Sequence, residues 1–176
     1  MHIELSARDQ ILSRYANQLS AIGTNGPVAL RDALNREGDK GRTQIKRALI
    51  RQTGIKYSQI EKATRTIRAS TSRLTYELRA SGEETNLNLF AAKQGAEGAS
   101  ARPRNVRRLF PHTFIVGRYG AKVFKREGGA RHPIRQVFGP NIAREIVKGE
   151  SRHTFEAIAP RLTDQVGKMI ARFLPD

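Results

Sequence analysis

The chain contains no cysteine and no tryptophan. That removes disulfides and thiolate metal sites together, and leaves any zinc centre to be assembled from histidine and carboxylates. Phenylalanine and tyrosine make up only 6% of the residues, too little for a broad base-stacking platform. No apolar run approaches the roughly 20 residues of a membrane helix, so no membrane partner is expected. The opening "MHIELSARDQILSRY" breaks its apolar positions with acids and does not read as a secretory signal. A cytoplasmic protein is expected, at least at first.

Acids are scarce as well. Sixteen Asp and Glu face 32 Lys and Arg, a formal net charge of +16, with a pI near 11.2. Such a field attracts polyanions and makes any binding to them salt-dependent. What is present in quantity fits a folded chain: 38% hydrophobic and 27% charged over 176 residues suffice for one domain with a core.

Periodicity outlines the elements. Ser6 to Leu19 reads as a first helix, with Ser6 and Asp9 as a cap and Ile11, Leu12, Tyr15 and Leu19 as its stripe. Pro27 suits the start of a long helix reaching about Gln52. Leu30, Leu34, Ile45, Ala48 and Leu49 are its apolar side, and Arg31, Arg42, Lys46 and Arg47 the opposite one. Gly38 and Gly41 weaken its middle by about 1 kcal/mol each relative to Ala, and Gly54 is a natural left-handed stop. A short helix follows around Ser58 to Lys62.

From Thr64 to Ser81 the period becomes two, with Leu74, Tyr76 and Leu78 facing one way and Arg73, Thr75, Glu77 and Arg79 the other. Residues 91–108, rich in Gly, Ala and Arg, read as a flexible loop. "HTFIVGRYGAKVFKRE" reads as a hairpin turning at "GRYG". Asn141 to Lys148 reads as a short helix. Ser151 to Leu174 reads as a longer one, striped by Phe155, Ile158, Leu162, Val166, Met169, Ile170 and Phe173. The predicted class is α+β: a small antiparallel β-sheet flanked by helices, with a long N-terminal helix and an amphipathic C-terminal helix.

Signals for chemistry are few. His2, His112, His132 and His153 have no metal-ligand spacing, and Glu83 and Glu84, as neighbours, point apart. Asp39, Glu77 and Glu83 could meet only by chance of folding. "GAEGASA" lacks the Lys-Ser/Thr of a phosphate loop, and no serine sits in a nucleophile elbow. No catalytic residue, metal or cofactor is expected, and no enzymatic activity.

The charge, by contrast, is concentrated. Arg102, Arg104, Arg107, Arg108, Arg118, Lys122, Lys125, Arg126, Arg131 and Arg135 face a single acid, Glu127, giving +9 within 34 residues. This basic edge, on the hairpin and its flanking loops, is the candidate contact surface for DNA or another polyanion. Within it, "VFKREGGARHPIRQVFGP" (Val123–Pro140) reads as a strand–loop–helix junction. Its glycines and prolines set the backbone.

Five blocks, in order, resemble the minor tail protein Z family of long-tailed bacteriophages and prophages. They are "ALNREGDKGRTQIKRAL" (Ala33–Leu49), "QTGI" (Gln52–Ile55), "LTYELRASG" (Leu74–Gly82), "LNLFAAKQGAEGASARP" (Leu87–Pro103) and "FIVGRYGAKVFKREGGARHPIRQVFGP" (Phe114–Pro140). The resemblance covers roughly residues 27 to 142; the two terminal helices carry no family signature. It implies a single tail-completion domain over 1–176 and a structural virion protein at the head-proximal end of the tail, made in the host cytoplasm. The implied partners are copies of itself in a ring, expected as a hexamer, neighbouring tail-terminator or head-closure (neck) proteins, and phage DNA passing through the lumen. A freestanding basic nucleic-acid-binding protein is the alternative, and a small metal-dependent nuclease a more distant one.

Overall fold

The computed structural model describes residues 1–6, 15, 17, 18, 20, 23, 25–82 and 84–172. Its elements are β1 (His2–Ser6), α1 (Asn25–Thr53), α2 (Tyr57–Ala63), β2 (Thr64–Ile67), β3 (Thr75–Ala80), β4 (Lys93–Gln94), β5 (Gly98–Ala101), β6 (Arg108–Pro111), β7 (Thr113–Val116), β8 (Lys122–Arg126), β9 (Ile134–Gln136), α3 (Ile142–Glu145), α4 (Gly149–Glu156) and α5 (Ile158–Ala171). This is the expected α+β class, with its sheet material divided into three antiparallel three-stranded sheets.

Helix α1 is the spine. Leu30, Leu34, Ile45 and Leu49 recur at helical spacing and are each 3% exposed or less, and each such burial stabilises by about 1.5–3 kcal/mol. One flank of α1 packs on β3 through Tyr76, and another on α5 through Ile158. Gly38 and Gly41, which the sequence marks as weak points, are where these partners come closest. A Cβ on Gly38 would stand 2.4 Å from the Tyr76 ring, and one on Gly41 would stand 2.4 Å from Ile158 Cδ1. Lys46, assigned by periodicity to the polar side, is instead buried, and its Nζ donates to Glu61 Oε2 at 2.5 Å. That hydrogen bond from Lys46 is the main reason the Glu61 carboxyl titrates below the usual carboxylate range. Gly54 closes the helix at a φ of +76°, with its N–H donating to Ile50 O at 2.8 Å.

Strand β3 is the centre of the order β1–β3–β2, with Ile3 opposite Leu78 and Thr66 opposite Leu78 on the other side. Ser6, expected to cap a helix, is the last residue of β1. Within the helix expected over Ser6–Leu19, Tyr15, Asn17 and Gln18 are helical, and Asp9, Ile11, Leu12 and Leu19 lie outside the described residues. Glu77, expected on an open face, is buried. Arg79 Nε donates to its Oε2 at 2.7 Å and Arg73 pairs with its Oε1, so the charge is matched where it is desolvated.

Three further departures follow from packing. Residues 91–108, expected as a loop, contain β4, β5 and a 3-10 turn at Pro103–Asn105, because Ala99 and Ala101 are small enough to be fully enclosed. Ile134–Gln136, read as the way into a helix, forms a third strand on β8. The helix expected from Ser151 to Leu174 breaks at Ala157 into α4 and α5. Pro160 explains the break: continued helix would set its ring against the carbonyl of Glu156, whereas the first turn of a new helix accepts proline. Ile158, Leu162, Val166, Met169 and Ile170 are buried as the stripe requires. Phe173 lies outside the described residues.

Candidate polyanion interface

The β7–β8–β9 sheet is built outward from Val123. This residue is fully buried, and its carbonyl accepts from Val137 N–H at 2.8 Å. Thr113 ties β7 to the neighbouring sheet: its Oγ1 accepts from Ala99 N–H at 3.0 Å and donates to Phe110 O at 2.6 Å. Gln94 Oε1 accepts from Ile115 N–H at 2.9 Å. One edge of the sheet is thereby covered, and β8 and β9 carry on into solvent.

Alternation along β8 places Lys122, Phe124 and Arg126 on one face and Val123 and Lys125 on the other. On the first face Phe124 stands opposite Phe114 and Gln136. The Phe114 and Phe124 rings stack at 6.3 Å, and Tyr119 meets Phe124 edge-on at 5.8 Å. Two guanidiniums rest on this cluster, Arg126 at 4.8 Å from the Phe114 centroid and Arg118 at 4.9 Å from that of Tyr119. On the second face Lys125 stands directly opposite Arg135. Like charges in that position are destabilising. Among the described residues, neither is ion-paired.

The structure thus divides the basic edge read from the sequence. Arg118, Lys122, Lys125, Arg126, Arg131 and Arg135 belong to the β7–β8–β9 sheet and its loops, all exposed. Arg102, Arg104 and Arg107 lie around the 3-10 turn at Pro103–Asn105, and Arg108 begins β6. Arg104 is committed internally: its Nη2 donates at 2.8 Å to Glu145 Oε1, whose other oxygen accepts from Gln52 at 2.6 Å. Gln52 in turn accepts from the N–H and hydroxyl of Ser151, each at 3.2 Å. Arg107 reaches Ser100 Oγ at 2.8 Å and Ala91 O at 3.3 Å. Arg102 and Arg108 are exposed, with no ion pair among the described residues.

Elsewhere some cations are matched with acids, while others, such as Arg36, Arg47 and Arg161, form no ion pair among the described residues. Arg144 meets Glu84, Arg152 meets Glu156 and Arg51 meets Glu150. Asp39 accepts from Arg68 at 2.8 Å and from the Tyr76 hydroxyl at 2.9 Å. Burial above all, and then that hydrogen bond, raise the Tyr76 hydroxyl well above the ordinary tyrosine range. Asp39 and Glu77 are therefore both held by arginines, and Glu83 lies outside the described residues. Among the described residues no three His, Asp or Glu side chains could hold a metal ion, and no helix is long and apolar enough to cross a membrane.

Two shallow hollows flank the end of β8. One, of about 580 Å³, is bordered by Lys125, Arg126, Arg135 and Phe138. The other, of about 860 Å³, lies between Lys125 and Arg126 on one side and Glu97 and His112 on the other. Glu127 borders both hollows, and neither is the enclosed, mostly apolar cleft that a small molecule favours. The pairing that separates this group from Arg104 depends on residues distant in sequence, and only the alternation in "KVFKR" hinted at it. Against models of protein families, curated proteins and solved structures, the chain gives no match.

Proposed function

We propose that the protein is a structural component of a phage virion. It completes the tail at its head-proximal end, as a ring of identical subunits around the channel through which DNA passes. The observation that carries the proposal is the ordered series of resemblance blocks over residues 27 to 142. They fall on α1, β3, β5, and β7 through β9, which build the core and the basic sheet. The ring reading accounts for the charge in a natural way. A subunit that meets neighbours heterologously needs cations only where it meets DNA or an acidic neighbouring ring. Six exposed cations without an ion pair stand together on one sheet and its loops, in a stretch that holds a single acid, Glu127, whereas acids are interspersed with the cations of the helices.

A second reading, a freestanding basic nucleic-acid-binding protein, draws on the same unpaired cations and predicts tight, salt-sensitive binding by the isolated chain. Deletion of the gene in the phage or prophage that encodes it separates the two. The tail reading predicts filled heads and tails of finished length that stay apart, or joined particles that fail to infect, in micrographs of the lysate. Few filled heads and poor DNA yield would contradict it.

A further inference from the structure

We propose that the β8–β9 hairpin, from Lys125 to Arg135, is a finger that enters a groove of duplex DNA and holds the phosphate walls on both sides. The inference rests on the reading above for DNA as the partner, and goes further in naming the element and the manner of its binding.

The argument begins with the register. Lys125 and Arg135 face each other on one side of the hairpin, while Arg126 lies on the other side, opposite Ile134. Arg131 sits in the connecting loop, and all four side chains are exposed. Cations on both faces of one ribbon suit a partner that surrounds it. A groove between two phosphate strands does so, and the major groove, about 12 Å wide, admits a two-stranded β-ribbon. Its walls carry about one charge per 1.7 Å of helix axis, dense enough to separate the like charges of Lys125 and Arg135. An acidic protein surface would meet one face only, and the centres of protein interfaces are depleted in charge.

The tip is shaped for entry. Gly128, Gly129 and Ala130 add almost no bulk, and Glu127 N–H donates to Pro133 O at 3.2 Å to close the loop. The finger carries one acid, Glu127, and among the described residues none of its four cations forms an ion pair. By contrast, Arg104, on the same basic stretch of sequence, is held by Glu145, which places it outside the finger.

The test is a titration of a labelled 30-base-pair duplex of random sequence with the full chain at several salt concentrations. The Lys125→Gln/Arg135→Gln variant is expected to reduce the slope of log affinity against log salt by about 1.8, at about 0.9 per lost phosphate contact. Arg131→Gln alone is expected to reduce it by about 0.9, and keeps the test open should the double variant fail to fold. Arg144→Gln/Arg152→Gln removes the same charge from side chains already paired with Glu84 and Glu156, and should leave the slope unchanged. An equal loss in that control, or no loss in the finger variants, overturns the proposal. So does tighter binding of poly-glutamate than of the duplex through the same residues, since that marks a protein-docking face. Duplex binding through the finger by a chain whose deletion leaves particles joined and infective would uphold the finger and remove the tail reading. A phage that assembles and infects normally with the finger variant, yet falls apart on deletion, would do the reverse.

Discussion

Gly38 is worth more to this chain as an absence than any side chain would be. On an exposed helix Gly38→Ala would gain about 1 kcal/mol from propensity. Here the new Cβ would meet the Tyr76 ring at 2.4 Å, and overpacking of that kind costs about 1–3 kcal/mol. Thermal unfolding should therefore show a net loss for Gly38→Ala, and a smaller one for Gly41→Ala, whose obstacle is the movable end of Ile158. A stabilised Gly38→Ala would mean the ring does not sit where described. Tyr76 gives a second residue-scale outcome. Its hydroxyl is protonated more firmly in the folded chain than in the unfolded one. That contribution is complete below the unfolded pKa of about 10 and is lost as pH rises from there through the higher folded value. Tyr76→Phe should remove this alkaline loss of stability, at a cost of about 1 kcal/mol at neutral pH from the hydrogen bond to Asp39. An unchanged alkaline limb would contradict the assignment.

Among the elements, the two halves of the basic stretch should behave in opposite ways. Arg104→Ala leaves Glu145, 8% exposed, without its arginine where α1, α3 and α4 meet, and is expected to cost about 1–2 kcal/mol. Arg135→Thr relieves a like-charge pair across β8 and β9 and should stabilise by about 0.2–1 kcal/mol. Chemical denaturation of the two variants checks both signs at once. Equal effects would mean the basic stretch is one uniform surface. This division was not legible in the sequence, because the partner of Arg104 lies 41 residues away. What was legible had a strong local period: α1, the β2–β3 pair, the β7–β8 hairpin and the stripe of α5. Strand β1 was missed because its pairing with β3 joins residues far apart in sequence, as His2 opposite Arg79 shows. Strand β5 was missed because "GASA" buries only small side chains and carries no hydrophobic signal. Pro160 did signal the break after α4, by a rule of backbone sterics that apolar periodicity overshadowed.

For the molecule as a whole, the charge of +16 is organised as well as large. In the helical part carboxylates meet some of the cations, among them Arg51, Arg144 and Arg152, while the β7–β8–β9 sheet and its loops carry six exposed cations against one acid, Glu127. Net charge of one sign favours solubility and opposes compactness. In a ring around DNA the arrangement has a use, and the unmatched sheet is where each subunit would meet the polymer. The proposed function is thus a claim about place: the chain would belong to the finished particle, at the junction of head and tail. The most direct measurement is gold labelling of an epitope-tagged chain on purified, infective particles, viewed by electron microscopy. The account predicts gold at the head-proximal end of the tail, in nearly every joined particle. Label spread over the particle, or protein left behind in the lysate and missing from purified virions, would contradict it.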